Sequence, residues 1–556
     1  MKIEKIIVEK NIPFELSDGT VLRSDVFRPN DNNKYPTLML RLPYNKEEKR
    51  YYDEYLEVPR MVEAGYVVIL QDVRGRFASD GEFYPFIHEG KDGYEAVEWA
   101  ANLPYANGKV GLFGMSYHGY TQLAAAVENP PSLKAIAPVM TMAEPWADIL
   151  NGDSAAKGVA KFQTWTLGSI IEDQLKKREQ LDSTKVQKYQ ATMQEWLHYR
   201  PADEWPPMKD LDPNSFFFDV MHNKVSSELI ERTQLLDKLH SIQIPALFIG
   251  GWFDALLEPT IAAYQAYKGP AQFWVGPWTH EDMSGHAGER YFEGGAEQIG
   301  CDEVADPTEL HIKWFDHWLK DKPMAVDKPV HLYLMGQEKW AAFGQWPPVT
   351  ATNELFLSSN GSSQTRRGDG ELVEQPMLKD TKSELLLDPD NPVPTRGGGV
   401  LIAGNGSGVF EIGDIQDRED VLVYTSSVLR EDIHILGTVK ASLWVSSPST
   451  LCDISIRLSD VEPNGKVFNI IDTFYREKVK AVDQPFCLEL EIGHTAYLLK
   501  KGHSLRVDIA ASNAPLYDIN LNNGRTSKTS KFGKPAIENV YHGVNFPSRI
   551  ILPIEK

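Results

Sequence analysis

The chain has 556 residues, 42% hydrophobic and 24% charged. That is several times the ~100 to 150 residues of a typical domain, with the composition of an ordinary globular protein. With 57 basic against 78 acidic side chains the net charge is −21, which argues against nucleic acid and anionic membrane as partners, because phosphate binding needs an excess of Lys and Arg on one face.

The three cysteines, Cys301, Cys452 and Cys487, have no C-x-x-C spacing, so neither a disulfide framework nor a thiolate zinc site is expected. The first ten residues mix charge into every apolar run and are not read as a secretory signal. No stretch approaches the roughly 18 apolar residues of a membrane span. A reducing, cytoplasmic setting is the expectation.

Along the chain, short β-branched runs at 6–8, 21–27, 37–42, 66–72, 110–113 and 135–139 alternate with helix-length segments at 51–64 and 91–101. Strands separated by crossover helices predict a parallel, doubly wound sheet. From residue 144 onward Trp146, Trp165, Trp196 and Trp205 are scattered through segments of helical period, which reads as a helical insertion. Strand pattern resumes at 244–250 and 272–276. A helix over 309–320 sets Leu310, Trp314, Phe315, Trp318 and Leu319 in one packed stripe, with His311 and His317 expected on its surface. Beyond residue 329 the period falls to two, in runs at 330–335, 421–426, 438–446, 454–458 and 504–511 divided by Gly, Pro, Asn and Asp clusters, the pattern of a β sandwich or jelly roll.

The sharpest local signal is Gly114-Met115-Ser116-Tyr117-His118-Gly119, directly after a strand and directly before a helix. It reads as a nucleophile elbow, in which small neighbours let strand and helix approach around a strained serine. It also reads as a glycine-bounded turn whose serine caps the helix. The second glycine stands at 119, one place later than the usual elbow spacing. A hydroxyl is a poor nucleophile without a base, and the base needs an acid to orient it. Two later runs end in such groups, 244–254 in Asp254 and 273–280 in His280. Taken singly they are a capping aspartate and a loop histidine; with Ser116 they follow the order Ser, Asp, His of α/β-hydrolases. His118 is too near Ser116 in sequence to serve as its base and is read as a wall residue. His280 with His286 matches no common zinc spacing, and the glycines of 404–408 lack a lysine. Neither metal nor cofactor is expected.

These motifs, with Asp72-Val73-Arg74-Gly75-Arg76-Phe77 upstream, Gly250-Gly251-Trp252-Phe253-Asp254, Gly276-Pro277-Trp278-Thr279-His280, Trp314-Phe315-Asp316-His317-Trp318-Leu319 and a late Ser512-Asn513-Ala514-Pro515-Leu516-Tyr517-Asp518, together resemble the cocaine esterase branch of the X-Pro dipeptidyl-peptidase superfamily. The resemblance runs over nearly the whole chain. It implies an α/β-hydrolase domain at 1–143 and 241–323, a helical cap at 144–240 and a jelly roll at 324–556. It implies Ser116 as nucleophile, His280 as general base and acid, Asp254 as its orienting carboxylate, and an oxyanion hole from the Tyr117 N–H and the Tyr44 hydroxyl. The corresponding acyl-pocket residues are Trp165, Leu256, Leu401 and Ile402, each of which also reads as ordinary core.

The implied activity is hydrolysis of a small-molecule carboxylic ester through an acyl-enzyme. The alternatives are an amide-cleaving acylase acting on β-lactam side chains, an X-Pro dipeptidyl-peptidase, and an inactive binding protein using the jelly roll. The peptidase fits less well, because the chain is expected to begin close to its first sheet strand. Ala255, Leu256 and Leu257 after Asp254 favour an uncharged or acidic acyl group over an α-amino one, which would call for clustered carboxylates. A homo-oligomer is compatible with this reading.

Overall fold

The computed structural model describes residues 6–147, 158–297, 299–300, 304–324 and 328–555, so Cys301 lies outside the described residues. The N-terminal half is an α/β domain around one ten-stranded sheet. Its first eight strands are β1 (Ile6–Glu15), β2 (Val21–Pro29), β3 (Tyr35–Leu42), β4 (Val67–Asp72), β5 (Ala106–Met115), β6 (Leu133–Val139), β7 (Ala246–Phe253) and β8 (Ala271–Thr279). A short antiparallel pair, β9 (His286–Ala287) and β10 (Arg290–Tyr291), follows outside the sheet. Two further strands, β11 (Val330–Leu334) and β12 (Lys339–Phe343), complete the order β1-β2-β4-β3-β5-β6-β7-β8-β11-β12. Neighbours from β4 to β11 along this order are parallel, and the flanking pairs are antiparallel. Every residue of β4 and of β7 is buried, as expected of strands covered on both faces.

Helices α1 (Val58–Glu63), α2 (Glu89–Ala101) and α3 (Tyr117–Val127) cross between the first parallel strands. Between β6 and β7 the described chain is helical. Helix α4 (Val159–Trp165) runs directly into a π-turn at Thr166–Ile170, and short helices such as Phe216–Met221 and Ser227–Thr233 follow. Helices α5 (Leu257–Ala266) and α6 (Pro307–Lys320) flank the later strands.

Two sequence expectations change here. Residues 330–335 follow the segment at which the period switches to two, yet β11 pairs with β8 and β12 pairs with β11, so both strands extend the first sheet. Period alone does not say which sheet a strand joins. His311 is 1% exposed rather than on the surface of α6. Its Nδ1–H donates to the carbonyl of Pro307 one turn back, at 2.7 Å, which makes a neutral buried imidazole tolerable, and burial lowers its pKa to about 4.

The C-terminal half is all β. Its eleven strands are β13 (Ala351–Ser358), β14 (Glu371–Val373), β15 (Thr381–Leu387), β16 (Val421–Ser426), β17 (Ile433–Ser446), β18 (Leu451–Val461), β19 (Val467–Lys478), β20 (Phe486–Leu499), β21 (Ser504–Ala510), β22 (Ala536–His542) and β23 (Arg549–Ile554). They pair in the order β15-β22-β17-β23-β13-β14-β16-β21-β18-β19, with β20 against β17, and only β14 and β16 pair in parallel. Ile454, Ile456 and Leu458 of β18 and Leu505, Val507 and Ile509 of β21 project at alternate positions into a shared core. No helix among the described residues is long and apolar enough to cross a membrane.

Candidate active site

Tyr44, Ser116, Asp254 and His280 follow β3, β5, β7 and β8, so all four stand on the carboxyl edge of the parallel strands, where open α/β sheets hold their ligands. Ser116 connects β5 to α3 with φ 57° and ψ −126°. That is a conformation few L-residues adopt, and the surrounding hydrogen bonds must hold it. The Ser116 N–H donates to the carbonyl of Val139 at 2.9 Å, and its own carbonyl accepts from Gly119 N–H at 2.9 Å and Thr141 Oγ1–H at 2.8 Å. The two glycines follow from this packing. A Cβ on Gly114, which has φ 133°, would meet His118 Nδ1 at 2.5 Å, and one on Gly119 would meet the Thr141 Cβ at 2.6 Å. The second glycine is therefore needed at 119, where α3 touches the loop after β6.

His280 Nδ1 lies 2.7 Å from Asp254 Oδ1. Both are buried, at 6% and 4% exposure. Nδ1 donates to the carboxylate, which leaves Nε2 for a proton to be taken or given. Asp254 Oδ2 has no hydrogen-bond partner among the described residues. Two outside contacts brace the Asp254 turn. Trp252 Nε1–H donates to the Tyr333 carbonyl of β11 at 2.8 Å. Gly399 of the β domain packs so closely that a Cβ there would lie 2.7 Å from the Asp254 carbonyl oxygen.

The Tyr44 hydroxyl accepts from Trp165 Nε1–H at 2.9 Å and meets the side chain of Ser116. Indole N–H is a donor only, so the hydrogen of Tyr44 remains available toward Ser116. Burial pushes the Tyr44 pKa up to about 12, which keeps the phenol protonated. Arg76 fixes the loop beneath: its Nε donates to the Pro43 carbonyl at 2.7 Å, and its Nη1 and Nη2 donate to Ile170 and Ser169 at 2.9 and 3.1 Å, tying Tyr44 to the π-turn after α4. The Tyr117 side chain is buried and lines the aromatic cavity beside Ser116. Its hydroxyl donates to Glu89 Oε1 and accepts the Phe86 N–H, both at 2.9 Å, and its ring stacks on Phe86 at 4.5 Å.

Two cavities meet at Ser116 and Tyr44. One, of about 90 Å³, has walls of Phe86, Met142, Trp146, Phe162, Trp165 and Leu256, and is reached by Leu401. The other, of about 320 Å³, contains His280, Tyr51, Tyr55 and His118. Of the four pocket residues expected from the sequence, Trp165, Leu256 and Leu401 line the smaller cavity, while Ile402 is 5% exposed in the core and lines neither. Phe86, Met142, Phe162, Tyr51 and Tyr55 had no sequence signal, because no period marks a wall built from several segments. His118 is a wall residue, as expected. Among the described residues no group of three His, Cys, Asp or Glu side chains converges as metal ligands would.

Residues 18–282 match the family described as X-Pro dipeptidyl-peptidase (S15 family), and residues 324–551 match the X-Pro dipeptidyl-peptidase C-terminal non-catalytic domain. The chain is 29% identical to cocaine esterase from Rhodococcus sp. (strain MB1 Bresler) over 99% of both proteins. The fold is shared with an aminopeptidase from a marine sediment archaeon, Thaumarchaeota archaeon (TM-score 0.79, 21% identity, covering 100% of this chain and 97% of that one). It is shared equally with an α-amino acid ester hydrolase (TM-score 0.80, 21% identity, 99% and 97% covered). With both of its parts matched, the chain belongs to the X-Pro dipeptidyl-peptidase family of serine hydrolases, with an N-terminal α/β domain and a C-terminal all-β domain, and within it is similar over its full length to cocaine esterase.

Proposed function

We propose that the protein hydrolyses carboxylic esters through an acyl-enzyme formed on Ser116. The observation that carries this is His280, paired with Asp254 at 2.7 Å, lining the same cavity as a serine held at φ 57°. The full-length likeness to cocaine esterase supports the ester as substrate. His280 Nε2 takes the Ser116 proton as Oγ attacks the carbonyl carbon, and Asp254 stabilises the imidazolium that forms. The Tyr117 N–H and the Tyr44 hydroxyl donate to the developing alkoxide, both fixed before the reaction begins. Collapse expels the alcohol, which receives the proton from His280. Water, deprotonated by the same imidazole, then attacks the acyl-serine and releases the acid, restoring Ser116 and His280.

With this reading goes a division of the chain into a hydrolase domain at 1–143 and 241–343, a helical cap at 144–240 over the cavities, and a jelly roll from β13 onward; the expected boundary at 323/324 falls too early, because β11 and β12 extend the first sheet. Helix α4 supplies Phe162 and Trp165 to the smaller cavity and the loop of the β domain supplies Leu401, which supports both roles. An α-amino acyl group is disfavoured. Ala255, Leu256 and Leu257 follow Asp254, and Glu258 is engaged with His494 Nδ1 at 2.6 Å. The test is Ser116→Ala with 4-nitrophenyl butyrate and a fluorophosphonate probe: both turnover and labelling disappear. Turnover undiminished by the substitution would refute the assignment.

A further inference from the structure

The proposed acyl-enzyme mechanism, on which this inference rests, assigns a part of the substrate to each cavity. The departing alcohol must receive its proton from His280, so it lies in the 320 Å³ cavity, which contains His280. The acyl group then occupies the aromatic cavity, which does not.

The alcohol side is lined by hydrogen-bond donors. His118 is 2% exposed and its Nδ1 accepts the Met115 N–H at 2.8 Å. Nδ1 therefore carries no hydrogen, and the neutral ring must hold it on Nε2. Burial lowers the His118 pKa to about 3, so the ring stays neutral across the physiological range. Nε2 makes no hydrogen bond to any described residue. The imidazole sits edge-on to three tyrosine rings, Tyr44, Tyr51 and Tyr55, at 6.1, 5.6 and 5.9 Å. The Tyr55 hydroxyl is itself buried without a hydrogen-bond partner among the described residues. The charged side chains facing this cavity are Arg50, Lys161 and Glu281. A hydroxyl buried without a partner, as at Tyr55, is costly, and the cost is removed when a ligand supplies the missing acceptor.

We propose that the His280 side of Ser116 is a recognition site for an alcohol moiety that carries its own carbonyl or carboxylate oxygen, which accepts from His118 Nε2–H and the Tyr55 hydroxyl. A plain alkyl alcohol leaves both donors unmatched. The preferred substrates are accordingly esters of hydroxy acids or hydroxy amides, cleaved at the hydroxyl.

The test uses three butyrate esters that share one acyl group, those of n-butanol, glycolamide and glycolate. Each kcat/KM is divided by the ester's hydroxide-catalysed rate to remove intrinsic reactivity. The wild-type enzyme favours one or both acceptor-bearing esters over butyl butyrate by about tenfold or more, as sites built to hydrogen-bond a substrate reject analogues that lack the group. Glycolamide ahead of glycolate identifies a neutral carbonyl, and the reverse order a carboxylate. His118→Asn keeps an oxygen for the Met115 N–H but removes the Nε2–H donor, and Tyr55→Phe removes the other. In each the preference collapses toward unity, and because it is a ratio within one preparation, partial misfolding cancels. No wild-type preference, or an equal loss on all three esters in both variants, overturns the proposal. Wild-type failure on every ester would overturn the esterase reading and this proposal with it.

Discussion

The reactive groups stand on one sheet edge, whereas much of the wall around them is brought in from elsewhere in the chain. Ser116, Asp254 and His280 each follow a buried parallel strand; the Ser116 N–H bonds the Val139 carbonyl at the end of β6, and the Asp254 N–H bonds the Gly251 carbonyl of its own strand. The walls come from α4 and its π-turn, the segment around residues 50–55, and a β-domain loop around Leu401. These pieces are joined by side-chain contacts, such as Trp165 Nε1–H to Tyr44 and Ala403 N–H to Thr164 Oγ1 at 3.2 Å. A sheet edge fixes geometry to the precision that chemistry requires, whereas segments packed through side chains can change without disturbing it. Substitutions at the edge should therefore reduce kcat for every substrate, and those in the walls should sort substrates.

The largest effect is expected at the edge. Asp254→Asn leaves a hydrogen bond to His280 but favours the wrong tautomer, and kcat should fall roughly 10⁴-fold. Stopped-flow or steady-state rates on several esters check that the loss is uniform; a loss confined to one ester would break the comparison. Tyr44→Phe removes one donor to the alkoxide and should lower kcat about 10²- to 10³-fold with KM little changed. Trp165 sits on the boundary, lining the acyl cavity and orienting Tyr44. Trp165→Ala should cost about 10- to 100-fold in kcat/KM, more for aryl than for acetyl esters, while Trp165→Phe should restore much of the acyl discrimination. An equal loss on all acyl groups would place Trp165 with the chemistry alone.

The smaller effects concern stability. Gly119→Ala forces a methyl against Thr141 and should destabilise by about 1 to 3 kcal/mol, read as a lower melting temperature. In the β domain, Glu538 is 1% exposed and burial pushes its pKa up to about 8. The folded state then holds a proton that the unfolded chain releases above its ordinary value of 4.5, so stability declines as pH rises from about 4.5 to 8. Glu538→Gln should flatten that decline in thermal melts between pH 5 and 8 and leave kcat at pH 7 unchanged. An unaltered slope would show that Glu538 does not contribute to it.

The two halves were legible in the sequence to different depths. Short β-branched runs alternating with helix-length segments announced the parallel sheet, because strands buried on both faces read as continuous apolar runs and the crossovers between them need helix-length segments. The elbow, the acid and the histidine could be located because each ends such a strand. The displaced glycine at 119 looked irregular until Thr141 was seen beside it. The walls were readable only where resemblance pointed, at Trp165, Leu256 and Leu401, and Ile402 went to the core instead. The membership of β11 and β12 in the first sheet could not be read, since strand period does not name a partner.

The sequence by itself determined the order of most elements and offered Ser116, Asp254 and His280 as candidates at strand ends, since both are matters of local residue pattern. The tertiary structure alone decided that two cavities meet at Ser116 and which of them holds His280. It also decided that Met115 N–H takes the Nδ1 of His118 and so fixes where that ring carries its hydrogen. These facts depend on segments far apart in the chain arriving at one point, and no local pattern records where they will meet.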